Sequence, residues 1–333
     1  MPTVSLTAIA RDEEADLPRC LASVRGVVTE MVVVDTGSTD RTVAIAEAAG
    51  ARVVLAAWEN DFSAARNRAL AEATGDWALV LDADEELASP GEDKARIDAA
   101  LTDPLTMGYQ LRVRNLSPPG EMVAYTDVWL TRLFRRRDDV RYESRIHEQV
   151  SPSILRAGGT VARLDVTVLH HGYARKVAQG QSRAVRNTKA LRALVLERPT
   201  DAYACYQLGC ALQAAGAAAE AEETLRRART LDRGALPPDV KSGLLLRLSQ
   251  LALQRREDRD AASLAAEALA LDPASTVALQ VLAVASVGAG DIVAGHAAFV
   301  RLRARPDLRP AFAGEVDRMI AALAPLATAA APR

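Results

Sequence analysis

The sequence predicts two domains: an α/β domain with a mixed, mainly parallel sheet, followed by an all-α domain of helical repeats. In the first half, short apolar runs alternate with amphipathic stretches at the spacing typical of βαβ units. After Tyr173 the β-forming segments give way to alanine-rich helical periodicity. A chain of 333 residues is also long enough for two separate cores.

Strand and helix signals follow one another through the first half. Alternating or fully apolar runs predict strands at residues 3–10, 30–35, 51–55 and 77–81, with a more hairpin-like, antiparallel set at 108–115, 126–134 and 163–169. Capping residues such as Asp61 precede the amphipathic runs between them. The predicted helices are the segment that carries Leu17 and Leu21, residues 42–49, the segment after Asp61, and residues 92–101.

The second half repeats itself. Small or apolar residues occur at the same offsets after Ala202, Ser242 and Thr276, and the last two of these positions are 34 residues apart. This period is typical of helix pairs that bury their apolar faces by stacking on neighbouring pairs. We therefore divide the chain into residues 1–175, a connecting helix at residues 176–200, and helical repeats with a C-terminal capping helix at residues 201–333.

Composition and charge exclude several classes of protein. The net charge of -2 gives no general attraction to nucleic acid, and no stretch approaches the roughly 18 apolar residues of a membrane span. The start Met1-Pro2-Thr3 lacks the basic region of a signal peptide, and the three cysteines have no metal-ligand spacing. We expect a cytoplasmic protein with no membrane span and no nucleic-acid partner, and leave peripheral association with the inner membrane open.

Acidic residues stand at the ends of the second and fourth predicted strands, namely Asp35 and the pair Asp82 and Asp84. Because side chains alternate along a strand, Asp82 and Asp84 project to one side at the carboxyl edge, where open α/β sheets bind ligands. Two carboxylates there indicate a hard divalent cation. The alternative is that these acids form an ordinary surface loop rich in acidic residues, after which Glu85 and Glu86 open a helix. No Gly-x-Gly-x-x-Gly follows the first strand, which disfavours a dinucleotide-dependent oxidoreductase.

Five motifs occur in the order that characterises one enzyme family. They are Arg-Asp-Glu-Glu at 11–14, Cys-Leu-Ala-Ser at 20–23, Val-Asp-Thr-Gly-Ser-Thr-Asp at 34–40, Trp-Glu-Asn-Asp-Phe-Ser-Ala-Ala-Arg-Asn at 58–67 and Gly-Asp-Trp-Ala-Leu-Val-Leu-Asp-Ala-Asp at 75–84. Over residues 3–175 the chain resembles the family 2 glycosyltransferases of the GT-A fold. It looks most like the bacterial branch with C-terminal tetratricopeptide repeats, which is similar to lipopolysaccharide-core and bacteriocin-peptide sugar transferases. One departure is Asp12, where the family more often has asparagine.

The resemblance implies a nucleotide-sugar site at the acidic edge of the sheet. Asp35 would contact the nucleoside, Asp82 would reach the ribose or the metal, and Asp84 would be the direct ligand of Mn²⁺ or Mg²⁺. The metal neutralises the leaving diphosphate. Arg66 could support a phosphate or be a solvated helix charge. The residues that the resemblance assigns to nucleotide-sugar binding are Ala10, Arg11, Glu13, Asp35, Arg66, Asp82 and Ala83.

Direct displacement at an anomeric carbon needs a general base within hydrogen-bond reach of the acceptor. The polar segment at residues 141–150 offers Glu143, His147 and Glu148 for this role. The family has an Ile-His-Glu triplet here, which favours Glu148 as the base and places His147 near the metal or the diphosphate. A structural salt bridge of Glu148 is an equal alternative.

His170 directly follows the last predicted strand of the first half and matches the His-x-Gly-Tyr pattern of the family. Several GT-A enzymes complete the metal shell with a histidine near the end of the domain, so the implied metal site is Asp82, Asp84 and His170. Adjacent histidines point opposite ways on a strand, so at most one of His170 and His171 faces the site. The alternative role of His170 is packing or capping.

The resulting hypothesis is a metal-dependent, inverting glycosyltransferase. It would move a sugar from a nucleoside-diphosphate sugar, taken as a UDP-sugar, to a hydroxyl or thiol of a glycan, a lipid-linked saccharide or a peptide. The helical repeats would hold the acceptor, a protein partner or a second copy of the chain. The alternative is a non-catalytic repeat scaffold with a degenerate nucleotide-sugar-binding domain, which would have no use for the aligned acids.

Overall fold

Two compact units make up the protein. The computed structural model describes residues 2–146, 148–172, 180–234 and 236–330, with the backbone alone for residues 180–187. The first unit consists of Met1–Pro118 and Tyr125–Lys176, and the second consists of Pro119–Ala124 and Val177–Arg333. We call them the sheet unit and the helical unit.

A mixed sheet forms the centre of the sheet unit. Its strands in the described part of the chain are Val4–Ala10 (β1), Glu30–Asp35 (β2), Arg52–Leu55 (β3), Trp77–Val80 (β4), Glu85–Leu87 (β5), Thr106–Leu116 (β6), Tyr125–Arg135 (β7) and Thr160–His170 (β8). They lie in the order β3-β2-β1-β4-β7-β6-β8-β5. The pairs β1–β2, β1–β4, β2–β3 and β6–β8 are parallel. The pairs β4–β7, β6–β7 and β5–β8 are antiparallel, so the predicted mixed, mainly parallel sheet is confirmed.

Apolar clusters cover both faces of the sheet. The helices of this unit are Leu17–Ser23 (α1), Thr42–Ala48 (α2), Phe62–Glu72 (α3), Pro90–Ala100 (α4) and Ser151–Arg156 (α5). Leu79 of β4 belongs to the larger cluster with Leu21 of α1. Its neighbour Val80 belongs to the smaller cluster with Ile154 of α5. Because side chains alternate along a strand, β4 is buried on both faces, which explains its continuous apolar sequence.

The segment after the acidic residues differs from the predicted alternative. Glu85 and Glu86 do not open a helix but lie in β5, where they pair with His170 and Leu169 of β8. The following helix begins at Pro90, because proline suits the first turn of a helix. The six-residue helix α5 has no counterpart among the predicted elements, since it is too short for a clear apolar period.

The helical unit is built from consecutive helix pairs. Its described helices are Gly180–Glu197 (α6), Ala202–Ala214 (α7), Ala218–Leu231 (α8), Pro238–Gln254 (α9), Asp258–Leu271 (α10), Thr276–Gly288 (α11), Ile292–Arg303 (α12) and Pro310–Ala330 (α13). The predicted repeats are confirmed, because the residues three positions after each predicted start, Cys205, Leu245 and Leu279, are all buried. The first residues of the predicted connecting helix, 176–179, lie outside the described residues. No described helix is both long and apolar enough to cross a membrane.

The short segment Pro119–Ala124, which joins β6 to β7 in the sequence, belongs to the helical unit. The Ala124 N–H donates to the Asp307 carbonyl at 2.8 Å, and the Arg309 N–H donates to the Met122 carbonyl at 3.0 Å. Val123 and Leu308 form an isolated antiparallel bridge between these contacts. The loop between α12 and α13 therefore satisfies the backbone of this segment much as a neighbouring strand would.

Close helix packing in the helical unit leads to a first prediction. A methyl group on the Cα of Gly209 in α7 would meet Leu225 Cγ of α8 at 2.5 Å. We predict that Gly209→Ala destabilises the helical unit by about 1–3 kcal/mol, because a closely packed interface cannot take another carbon without displacing it. Urea unfolding followed by far-ultraviolet circular dichroism measures the change. The fluorescence of Trp58, Trp77 and Trp129, all in the sheet unit, should be unaffected.

Gly314→Ala in α13 is the matched control. The nearest atom that a methyl group would meet there is Arg318 Nη1 at 3.9 Å. Because alanine favours the helix more than glycine does, this variant should be more stable by up to about 1 kcal/mol. Equal losses of stability in both variants would contradict the packing argument.

Candidate active site

The carboxyl ends of β1, β2 and β4 meet at one edge of the sheet. β1 lies between β2 and β4, and its last residue, Ala10, pairs with Asp35 at the end of β2. β4 ends at Val80, and residues 82–85 follow as a turn into β5. We call residues 82–85 the acidic turn. The strand order thus brings Asp35 and the acidic turn to the same edge, where open α/β sheets bind ligands.

Asp35 holds the loop that follows its own strand. The N–H groups of Gly37 and Ser38 each donate to Asp35 Oδ1 at 3.0 Å, and the Ser38 hydroxyl donates to Asp35 Oδ2. Gly37 has a φ of 105°, which a glycine adopts without strain. The buried carboxylate therefore fixes the backbone of a loop at the edge where the resemblance implies a nucleoside.

The loop after β1 is tied to the loop after β2. The Asp12 N–H donates to Ser38 Oγ at 2.9 Å, and the Thr39 N–H donates to Asp12 Oδ1 at 2.7 Å. Asp12 has a φ of 53°, a left-handed conformation that aspartate and asparagine tolerate better than most residues. The predicted binding residues Arg11 and Glu13 flank Asp12, so they lie beside the loop held by Asp35.

Both carboxylate oxygens of Asp82 accept hydrogen bonds from arginines. Arg66 Nη2 donates to Asp82 Oδ1 at 2.7 Å, and Arg132 Nη2 donates to Asp82 Oδ2 at 3.2 Å. Burial alone would raise the pKa of this carboxyl, but the two guanidinium groups outweigh it and hold the pKa well below its usual range. Asp82 is therefore a fixed anion. Its neighbour Ala83 packs into the larger apolar cluster.

Arg132 and Glu85 form a buried pair beside Asp82, and neither was among the predicted site residues. Glu85 is 1% exposed and Arg132 is 7% exposed. Arg132 Nη2 donates to Glu85 Oε1 at 2.6 Å, and the Asp82 N–H donates to Glu85 Oε2 at 2.9 Å. Burial raises the pKa of Glu85, with Arg132 opposing that shift. Arg132 stands beside the apolar residues Leu133 and Phe134, and a charged residue buried there needs a partner, but the local sequence does not identify that partner.

Arg66 joins the acidic turn to the candidate base. It is 6% exposed on α3, so it is not a solvated helix charge. Besides its bond to Asp82, its Nε donates to Glu148 Oε1 at 2.5 Å. The salt bridge that was the alternative role of Glu148 is therefore present, and the catalytic role stays a prediction. The guanidinium also lies over the Tyr142 ring, 5.4 Å from its centroid.

The other residues of the polar segment at residues 141–150 have different surroundings. Glu143 is half-exposed and bonds to Arg156 of α5, and its backbone pairs with Gln149. His147 lies outside the described residues. Asn67 holds this segment in place, because its side chain donates to the Tyr142 carbonyl at 3.0 Å and accepts from the Tyr142 N–H at 2.8 Å. Of the two described candidates, Glu143 and Glu148, it is Glu148 that lies beside Arg66 and the acidic turn.

Asp84 faces His170 across the edge of the sheet. His170 Nε2 lies 3.5 Å from Asp84 Oδ1. His170 Nδ1 lies 2.7 Å from Asn115 Oδ1, which places the proton on Nδ1 and leaves Nε2 directed toward Asp84. The His171 N–H donates to the Asp84 carbonyl at 3.0 Å, while the His171 ring bonds to Glu86 instead. Of the two adjacent histidines, His170 is therefore the one beside Asp84.

The Asp84 and His170 pair fits a divalent cation. A carboxylate oxygen and an imidazole nitrogen are both ligands of Mn²⁺, and the oxygen also suits Mg²⁺. A side chain is missing beside them at Gly172, where a Cβ would lie 2.7 Å from His170 Nε2. Within residues 2–146, 148–172, 180–234 and 236–330, no three metal-binding side chains come together. Such a pair could hold a cation only if other oxygens, for example those of a phosphate, completed its coordination.

The charge of Asp84 leads to a second prediction. Burial lowers the pKa of His170, but hydrogen bonding and attraction to Asp84, with Glu85 and Asp82 adding to them, raise it above its ordinary value. Protonated His170 thus adds stability that is complete below the unfolded-state pKa of about 6.5 and is lost as pH rises through the folded-state pKa. We predict that Asp84→Asn lowers the pKa of His170. Proton NMR of the four histidines in chelator-treated protein measures it.

Asp165→Asn is the control for this titration. Asp165 lies on the same strand as His170 but pairs with Arg112 and is exposed. Its substitution should leave the His170 titration unchanged, and His170→Gln identifies the signal. An unshifted His170 pKa in Asp84→Asn would show that the two side chains do not interact in solution.

Comparison with known proteins shows which family the N-terminal part of the chain matches. Residues 5–157 match the family described as glycosyl transferase family 2. A TPR repeat-containing protein of Synechococcus elongatus is 41% identical over 268 residues, which are 79% of this chain and 64% of that protein. An uncharacterized glycosyltransferase of Rickettsia felis is 33% identical over 142 residues, which are 41% of this chain and 49% of that protein.

Solved structures are also similar. The crystal structure of glucosyl-3-phosphoglycerate synthase from Mycobacterium tuberculosis, in complex with Mn²⁺, UDP-glucose and glycerol 3-phosphate, is 28% identical with a TM-score of 0.30. The match covers 34% of this chain and 44% of that chain. The chain spans 64% and 49% of the two sequence relatives, which is less than two thirds of each. Residues 5–157 of this chain form a domain of glycosyltransferase family 2.

Proposed function

We propose that the sheet unit is a metal-dependent, inverting glycosyltransferase that moves a sugar from a nucleoside-diphosphate sugar to an acceptor hydroxyl or thiol. The observation that carries this proposal is the division of roles in the acidic turn. Asp82 is fixed by two arginines, whereas Asp84 faces the imidazole of His170. A scaffold protein would have no use for such an arrangement at a ligand-binding edge, so we prefer the catalytic function.

The nucleoside would bind beside Asp35. The loop held by Asp35 and the loop after β1, which carries Arg11 and Glu13, border the edge between the ends of β1 and β2. Ala10 is the last residue of β1 and Ala83 lies in the acidic turn, and both side chains are small, so the nucleotide could approach the backbone there. We propose uridine as the nucleoside, following the family resemblance.

Asp84 and His170 would hold Mn²⁺ or Mg²⁺. When bound, the metal supplies positive charge that neutralises the diphosphate as it leaves. Two protein ligands suit this role, because the remaining coordination positions are left for oxygens of the substrate. Asp82 would act beside the metal, on the ribose, since its two oxygens already accept bonds from Arg66 and Arg132.

Glu148 would be the general base. In a direct displacement the acceptor oxygen or sulfur gives its proton to this carboxylate while it forms the new bond to the anomeric carbon. The bond from that carbon to the diphosphate breaks, and its configuration inverts. Arg66 holds Glu148 through Oε1, so the proton would go to Oε2.

The acceptor would be a glycan, a lipid-linked saccharide or a peptide. The helical unit would bind the acceptor, a protein partner or a second copy of the chain. Stacked helix pairs support this proposal, because such arrays present extended surfaces to which elongated ligands and partners bind.

Binding of UDP tests the proposed donor site. Calorimetric titration of wild-type protein with UDP should give binding in the presence of Mn²⁺ that chelator abolishes. Asp84→Asn should weaken this binding at least about tenfold, because a ligand of the metal is lost. Asp165→Asn, which removes an exposed carboxylate of β8, should bind UDP as wild type does. Metal-independent binding in wild type, or undiminished binding in Asp84→Asn, would argue against the proposal and favour a scaffold.

The base is tested by Glu148→Gln. The variant should bind UDP with Mn²⁺ normally, while kcat for release of UDP from UDP-glucose or UDP-N-acetylglucosamine in water falls about 10²- to 10⁴-fold. Glu143→Gln is the matched control, since Glu143 belongs to the same segment but bonds to Arg156. A loss of kcat in Glu143→Gln alone would assign the base to Glu143.

A further inference from the structure

Arg132 reaches the acidic turn from a distant part of the sequence. β7 pairs with β4 only through Trp77, Ala78 and Leu79, and Leu79 is paired with Leu133. Arg132 precedes Leu133, so it lies next to the point where β4 ends and the acidic turn begins. The guanidinium is buried there, with Nη2 at 2.6 Å from Glu85 Oε1 and 3.2 Å from Asp82 Oδ2.

Glu85 completes a closed set of contacts around the turn. Its Oε2 accepts the Asp82 N–H at 2.9 Å, and its own N–H donates to the Asp82 carbonyl at 2.9 Å. Asp82 and Glu85, the first and last residues of the acidic turn, therefore bond to each other through the backbone and the Glu85 side chain. Arg132 bonds to the side chains of both.

Asp84 lies between these two anchored residues. Its own carbonyl accepts the His171 N–H at 3.0 Å, which fixes the backbone from the side of β8. The direction of the Asp84 carboxylate toward His170 is thus a consequence of how the turn is held, because a rotation of the turn would carry Asp84 with it.

The pair of Arg132 and Glu85 is poorly explained by stability alone. Buried ion pairs often stabilise a fold less than apolar residues of similar size, because both charges lose their water. Arg132 Nε is in addition buried with no hydrogen-bond partner in the part of the chain that the structure describes. A buried donor without a partner is costly and calls for a reason other than packing.

We propose that Arg132, acting through Glu85 and Asp82, is a positioning residue that orients Asp84 for the metal and the diphosphate. It touches neither group itself. This inference rests on the proposed function, since it assumes that Asp84 binds the metal. Groups that orient metal ligands in this way typically change metal affinity by about 10- to 100-fold when they are lost.

The test uses the full chain with two substitutions, Arg132→Met and Glu85→Gln, made together. One positive and one negative buried group are removed, so no unpaired charge is left, and the new glutamine side chain can still accept the Asp82 N–H. We expect a thermal unfolding midpoint equal to or above that of wild type. Calorimetric binding of UDP in the presence of Mn²⁺ should nevertheless be about tenfold weaker. Wild-type affinity in this variant would overturn the inference and leave a purely structural ion pair.

Two further variants keep the test decisive. Arg132→Lys retains the charge but not the fork of donors, so it should fold and also bind UDP with Mn²⁺ more weakly. Arg135→Met is the matched control on the same strand, because Arg135 bonds to the carbonyls of Thr106 and Asp103 and stacks on Trp77. It should lose stability but keep the wild-type affinity. A loss of affinity as large in Arg135→Met would overturn the inference. Absence of Mn²⁺-dependent binding in wild type would instead overturn the proposed function, and the inference with it.

Discussion

The main constraint on this edge of the sheet unit is that the carboxylates at the end of β4 need positive charge beside them. Glu85 is buried and Asp82 is partly buried where the sheet closes around them, and carboxylates without partners there would be costly. Arg66 of α3 and Arg132 of β7 supply the missing charge. Each arginine is tied to its own element, so satisfying the acids also fixes α3 and β7 against the turn. Fold and site are therefore stabilised by the same contacts.

The two arginines also give Asp82 different surroundings from Asp84, although the two aspartates belong to the same sequence motif. Asp82 and Asp84 are two residues apart, and alternation alone would give them one environment. Asp82 instead accepts from two guanidinium groups, and Asp84 lies near a neutral or protonated imidazole according to pH. A cation that approached Asp82 would compete with two arginines for the same oxygens. This is the reason for proposing Asp84, which lies beside His170, as the metal ligand and Asp82 as a fixed anion near it.

The sequence predicted what depends on local periodicity and missed what depends on pairing between distant strands. The apolar run of β4 and the helix repeats carry their own signals, because burial on both faces or on one stripe appears directly in the residue order. Glu85 could be taken for the start of a helix, because glutamate is normally exposed and its partner, Arg132, is 47 residues away. Only the register between β4 and β7 places that arginine at the turn. A buried ion pair formed across a sheet has no period to detect.

Arg66 contacts both the acidic turn and the proposed general base. Arg66 donates to Asp82 through Nη2 and to Glu148 through Nε, so one planar group holds both acids. A salt bridge on Glu148 does not exclude a base, because a carboxylate that accepts on Oε1 still has Oε2 for a proton. The bond fixes the side chain instead of leaving it to move, and a base in one fixed position is what direct displacement requires. The salt bridge of Glu148 is therefore compatible with the catalytic role that we propose for it.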